Sequence, residues 1–153
     1  MIELYNNFIT TEESDEFIRY YNANTYSEFY NDNDVYRFKG VHVKNYEDFD
    51  ISKKLDLSNV DGNKRTIQLV DSSMNTSESF HVHSISWSYI IFLNDDFIGG
   101  DLLIENFRIK PRKNQLIIFP GNLPHRVENV TKGKRYTLVS FIDKKIKPKN
   151  NLI

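Results

Sequence analysis

The sequence has no cysteine at all. Disulfides and thiolate metal sites are therefore excluded, and any metal must be held by His, Asp, Glu or weaker oxygen donors. Charge of one sign is lacking too. Lys and Arg number 20 against 21 Asp and Glu, a formal net charge of −1. Nothing in the bulk electrostatics points to nucleic acid or to a membrane surface. No apolar run approaches the roughly 20 residues that span a bilayer. The opening segment MIELYNNFITTEESDEF lacks a basic stretch followed by an apolar one. With no secretory signal legible, a cytoplasmic protein is expected. What is present is globular: 39% hydrophobic, 14% aromatic and 27% charged residues in 153. That length suits one domain, residues 1–153, around one core.

The first ordered signal is helical. In TTEESDEFIRYYN, Thr10 stands at an N-cap with Glu13 three residues on, the capping-box spacing. Acidic residues fill the first turn, where the helix dipole favours them. Phe17, Tyr20 and Tyr21 recur at helical spacing, and the helix is expected to end near Asn22–Asn24. From about Tyr36 the period changes. YRFKGVHVKN and KRTIQLVDS alternate apolar and polar residues, as half-buried strands do. SWSYIIFLN is β-branched and aromatic, NDDFIGG is a turn cluster, and DLLIENFRIKP reads as one strand or two. NQLIIFPGNLPH gives a strand and a Pro/Gly-punctuated loop. RYTLVSFID is a last strand, and KKIKPKNNLI reads as a surface tail. One helix followed by many short strands predicts a mainly β fold, a sandwich or jelly roll.

Four histidines are available, and two of them stand two apart, His81 and His83 in SFHVHSIS. On an extended segment, residues i and i+2 point to one side, so the two imidazoles can share a metal. His125, in FPGNLPHRVENV, supplies a third nitrogen. An open three-nitrogen site suits Fe(II), Zn(II), Mn(II) or Ni(II), with positions left for water or substrate. A solvated surface pair is the other reading, and spacing alone does not choose between them. The fourth histidine, His42, is expected on a strand away from the metal.

Ten residues after His125 comes Arg135, at the start of the most apolar C-terminal stretch. A guanidinium inside a barrel is costly unless an anion pairs with it, and its planar fork suits a carboxylate. Thr137 shares a strand face with it. The bland alternative is a surface strand arginine, which is how Lys132 and Lys134 read. Before this, Ser84, Ser86 and Ser88 alternate with the bulky Trp87, Tyr89 and Ile91. The small positions are taken to line a cavity and the bulky ones to form core; serines facing solvent on an edge strand are the alternative.

Taken together, these residues resemble the Fe(II)/2-oxoglutarate-dependent dioxygenases, in particular the compact prolyl-4-hydroxylase-like type of bacteria and phages. The family pattern is His-x-Asp, a strand ending in a Y-L-N-like element, a Gly-Gly turn, P…G-x-x-x-x-F, a His, and a basic residue about ten positions later. The counterparts here are HVH, IIFLND, GGDLLI, IKPRKNQLIIFP, LPHRVENV and KGKRYTL, dense from 80 to 142. NNFITTEESDEFIRYY resembles that family's entry strand and first helix. The resemblance implies a double-stranded β-helix, or jelly roll, with the N-terminal helix packed on its outside. It implies that His81 and His125 bind iron and that Arg135 binds the distal carboxylate of 2-oxoglutarate. Phe92, Ser88 and Thr137 would line the co-substrate site. The implied chemistry consumes O2, converts 2-oxoglutarate to succinate and hydroxylates a C–H of a peptide side chain, prolyl-like, or of a small molecule.

Two positions depart from the family. His83 stands where the family has Asp, which makes the triad three-His and raises the site's net charge by one. Phe92 stands where many relatives have Tyr; it keeps the bulk and loses a hydroxyl. Asp101, after the Gly-Gly pair, is not favoured as a substitute ligand, because an acid there is ordinary in the family. Two further readings follow from the departures: a three-His jelly-roll metalloenzyme that does not use 2-oxoglutarate, which leaves Arg135 unexplained, and a non-catalytic binding module on a degenerate oxygenase scaffold. Nucleic-acid demethylation is disfavoured, because those relatives carry a second Arg where this chain has Phe141 and Ile142.

Overall fold

Thr10 caps the first helix in both directions in the computed structural model, which describes residues 1–30, 37–57, 65–74, 82 and 86–149. The Glu13 N–H donates to Thr10 Oγ1 at 3.1 Å, and the Thr10 N–H donates to Glu13 Oε1 at 2.9 Å. Helix α1 (Thr11–Ala23) ends where the sequence runs into Asn24. Its buried stripe is Ser14, Phe17 and Tyr21, the i, i+3, i+7 pattern of one face. Phe17 stacks on Phe49 at 4.6 Å, and Tyr21 meets Tyr136 edge-on at 5.5 Å. Burial of a Phe of this kind contributes roughly 1.5–3 kcal/mol.

Strands carry most of the rest. In chain order they are β1 (Glu3–Tyr5), β2 (Ser27–Tyr30), β3 (Arg37–His42), β4 (Thr66–Asp71), β5 (Trp87–Phe92), β6 (Ile98–Gly99), β7 (Leu102–Ile104), β8 (Phe107–Ile109), β9 (Leu116–Pro120), β10 (His125–Val127), β11 (Val130–Lys132) and β12 (Lys134–Ile142). A 3-10 turn (Tyr46–Asp48) and a short helix α2 (Ile51–Lys54) lie between β3 and β4. Seven strands form one antiparallel sheet in the order β1-β9-β5-β12-β4-β3-β2. A second sheet has the order β10-β7-β8, and β11 pairs with β6.

The period-2 pattern sorts each central strand into two faces. On one side of the large sheet lie Tyr89, Ile91, Leu116, Ile118, Tyr136, Leu138 and Ile142, packed with Phe17 and Tyr21 of α1. On the other lie Ile90, Phe92, Ile117, Phe119 and Val139, packed with Leu102, Ile104 and Ile109 of the second sheet. The helix thus covers the outside, and the two sheets enclose an apolar interior. This is the predicted jelly roll with an external N-terminal helix. No helix among the described residues is long and apolar enough to cross a membrane.

Several elements differ from the sequence expectation. The entry strand lies earlier than NNFIT, at Glu3–Tyr5, because its partner there is β9: Glu3 pairs with Ile118 and Tyr5 with Leu116. DLLIENFRIKP is two strands, a hairpin turning on Glu105 and Asn106, with Glu105 at φ +50°. The C-terminal segment does not run free over the surface. Tyr89 Oη donates to the Ile146 carbonyl at 2.8 Å and accepts from its N–H at 2.6 Å. Pro148 is buried, and the Lys149 N–H donates to the Lys54 carbonyl at 2.6 Å.

Candidate active site

Strand β12 carries two of the residues expected to bind the co-substrate, Arg135 and Thr137. Arg135, Thr137 and Val139 alternate with Tyr136 and Leu138, so they share the inner face. Arg135 is 2% exposed. Its Nε donates to the Gly100 carbonyl at 3.0 Å, and its guanidinium lies over the Phe92 ring at 5.3 Å. Thr137 is directly opposite Phe92 across the β5–β12 ladder. Its hydroxyl is buried and has no hydrogen-bond partner among the described residues. Three of the predicted co-substrate residues, Arg135, Phe92 and Thr137, therefore meet in one buried patch. Phe92 gives that patch a flat face for the cation in place of a hydroxyl.

The fourth lies apart. Ser88 is fully buried on the same face of β5, opposite Phe141 on β12 and Phe119 on β9. Four residues of strand separate it from Phe92, roughly 13 Å. Its hydroxyl also lacks a partner among the described residues, as does that of Ser86. Ser88 belongs to the end of the interior where His125 sits.

His125 opens β10 and is 5% exposed. The Phe119 ring meets it edge-on at 5.0 Å. Its Nδ1 is 2.7 Å from the Leu123 carbonyl. A carbonyl only accepts, so Nδ1 is the donor of this bond and Nε2 is the other ring nitrogen. A hydrogen bond from Nδ1 that orients the ring is the usual support of a His that ligates a metal through Nε2. Val127, two residues on and on the same face, packs against the inner cluster and also against the small cluster of Val70 and Val130. Val70 is the cross-strand neighbour of Arg135. Val127 and Val70 thus connect the His125 strand with the Arg135 strand.

The residues at hand fit the groups expected of them. A buried fork-shaped cation beside an unpartnered buried hydroxyl suits a carboxylate, and His125 suits a divalent metal. His81 and His83 lie outside the described residues. Among the described residues no three His, Asp or Glu side chains are grouped to hold a metal. Asp101 accepts from Arg108 at 3.1 Å, and Arg108 also pairs with Glu128, so this carboxylate belongs to a rim ion cluster. His42 lies on β3 with Nδ1 2.9 Å from Thr66 Oγ1.

Sequence reasoning did not single out Gly100, Phe119 or Leu123. Gly99 and Gly100 take φ of +83° and +71°, the region glycine enters at no steric cost. A Cβ on Gly100 would come within 2.9 Å of Arg135 Cδ. The Gly-Gly pair is therefore what lets backbone approach the arginine closely. The visible signal was the Gly-Gly turn; its partner, 35 residues away, was not visible.

Residues 42–143 match the family model of the 2OG-Fe(II) oxygenase superfamily. A PKHD-type hydroxylase of Synechococcus sp. (strain CC9311) is 36% identical over 72 residues, 43% of this chain and 33% of that protein. Human prolyl 3-hydroxylase 3 is 39% identical over 61 residues, 34% of this chain and 8% of that protein. The first match spans about a third of its relative's length. In three dimensions, a Pseudomonas putida prolyl-4-hydroxylase superimposes with a TM-score of 0.68 at 13% identity, covering 94% of this chain and 92% of that one. A prolyl hydroxylase from Trichoplax adhaerens, solved with a hypoxia inducible factor peptide fragment, also gives 0.68, at 16% identity over 92% of this chain and 82% of that one. At such identities the likeness shows the shared jelly-roll fold. With its family model matched over most of its length, the chain belongs to the 2OG-Fe(II) oxygenase superfamily.

Proposed function

We propose that this protein is an Fe(II)- and 2-oxoglutarate-dependent oxygenase that hydroxylates a C–H of a peptide side chain, prolyl-like, in the cytoplasm. The observation that carries the reading is the buried patch of Arg135, Thr137 and Phe92 in a chain of this superfamily. The relatives named hydroxylases and prolyl hydroxylases supply the substrate class.

Each residue then has a task. His125, with His81 and His83, holds the iron. The Leu123 carbonyl accepts the hydrogen bond from His125 Nδ1, and Nε2 is the nitrogen for the metal. Arg135 binds the distal carboxylate of 2-oxoglutarate through its fork, with Thr137 as hydroxyl donor and Phe92 as the ring that fixes the guanidinium plane. Ser88 serves the His125 end of the cavity. Iron and 2-oxoglutarate, once bound, would supply with O2 the oxidising chemistry: one oxygen atom goes into the C–H to give C–OH, and the other into succinate as 2-oxoglutarate loses CO2. The apolar interior around Ile90, Ile117 and Val139 excludes water from that chemistry.

The test is anaerobic titration of the apoprotein with Fe(II), then 2-oxoglutarate, followed through the weak visible charge-transfer band of the chelate. The expected result is a band in the wild type whose 2-oxoglutarate midpoint rises by about a hundredfold or more in Arg135→Ala, the loss of a charge-assisted bidentate contact. Iron binding with no band would overturn the co-substrate assignment. Absence of iron binding would overturn the oxygenase reading.

A further inference from the structure

Phe107 is the most exposed large apolar side chain after Met1 among the described residues, at 62%. Its position in the second sheet gives this exposure a meaning. The register sets His125 opposite Ile104 and Ile104 opposite Phe107, so the three form one row across β10, β7 and β8. Strand alternation puts Phe107 on the same face as Ile109. Ile109 is buried with Leu102 and Ile104 in the inner cluster. Phe107 therefore faces the side on which His125 sits, at the sheet's outer edge. Two strand spacings, roughly 10 Å, separate the His125 and Phe107 backbones, with Ile104 between them in the row.

The hairpin that carries Phe107 is tied to the loop that carries His125. The Glu105 N–H donates to the Pro124 carbonyl at 2.8 Å. Pro124 follows Leu123, whose carbonyl orients His125. Phe107, the Glu105–Asn106 tip and the Leu123–Pro124 loop thus make one rim, and Phe107 is its exposed apolar member among the described residues. We propose that Phe107 is a substrate-positioning residue: its ring is the apolar wall against which a proline-containing peptide lies while the residue beside it reaches the His125 site. Prolyl rings suit such a wall because they are apolar, rigid and lose little entropy on binding. The inference rests on the oxygenase reading for its substrate class, and its test is a binding measurement that needs no turnover.

The probe is a fluorescently labelled decamer of L-proline, titrated by anisotropy into the full chain. Phe107→Ala is expected to weaken binding at least about fivefold, the scale of an aromatic contact residue, and Phe107→Leu to recover most of it. Thermal unfolding of both variants should match the wild type, since the side chain is exposed. Equal affinity in wild type and Phe107→Ala would overturn the assignment, and so would a wild type that does not bind the decamer at millimolar concentration. Binding that depends on Phe107 in a protein that forms no 2-oxoglutarate chelate would sustain the wall and sink the oxygenase reading, so the two can fail separately.

Discussion

Tyr21 shows how one residue's burial becomes a pH dependence. Its phenol is buried under α1 against Tyr136, and burial pushes its pKa up to about 12. In the unfolded chain it ionises near 10. The folded state therefore holds the neutral form through a range in which the unfolded state ionises. Its contribution to stability is complete below about pH 10 and is lost as pH rises through about 12. Tyr5 behaves alike, also near 12, because it donates to Glu3 and so resists losing its proton. The unfolding temperature should thus fall steeply above pH 10, and less steeply in Tyr21→Phe. An unchanged slope in that variant would refute the assignment. Other single residues were legible in the sequence for a simple reason. Arg135 and Thr137 could be placed on one face because strand alternation is local, whereas Phe92, on another strand, was placed beside them only by the family resemblance. Ser88 could be placed on the right face but not at the right depth, since depth depends on which residues of β9 and β12 stand opposite.

At the scale of elements, helix α1 was readable because its signals are all within it: a capping box at Thr10 and Glu13 and an apolar face at Phe17 and Tyr21. Removing the cap hydroxyl with Thr10→Ala should cost about 1 kcal/mol. Phe17→Ala, which opens a cavity between the helix and Phe49, should cost roughly 3–5 kcal/mol. Urea unfolding monitored by circular dichroism separates the two, and similar midpoints for both variants would contradict this packing. The short strands β2, β6 and β11 were not readable. Their sequences, SEFY, IG and VTK, carry little alternation. They are strands because distant partners offer edges to them, as Gly99 does to Val130. The hairpin β7–β8 lies between these cases: its apolar residues were visible, and the turn at Glu105–Asn106 needs a left-handed residue that is not a glycine.

For the whole molecule, the layer arrangement followed from the sequence, while the way the chain closes on itself did not. KKIKPKNNLI looks like a solvated run of lysines. Yet Tyr89 at the centre of the large sheet takes both backbone groups of Ile146, and Lys145 lies over the Trp87 ring at 5.3 Å. One phenol thus fixes the terminal segment to the outer face beside α1. Tyr89→Phe leaves the ring packed and removes both bonds. It should lower stability by about 1–3 kcal/mol and make the segment after Ile142 the first site of limited proteolysis. Retained protease resistance would show that packing of Ile146 alone suffices.

Strand β12 carries two unrelated duties on alternate residues. Arg135, Thr137 and Val139 face the interior between the two sheets, and Tyr136, Leu138 and Ile142 build the floor on which the helix rests. Gain or loss of a single residue inside this strand would exchange the two sets wherever it shifted the pairing, sending the guanidinium under the helix and a tyrosine or leucine into the interior between the sheets. The hairpin tips and surface loops can change length over generations with little consequence. In β12 the count of residues is itself under constraint, so lineages of this protein should vary there by substitution and almost never by insertion or deletion.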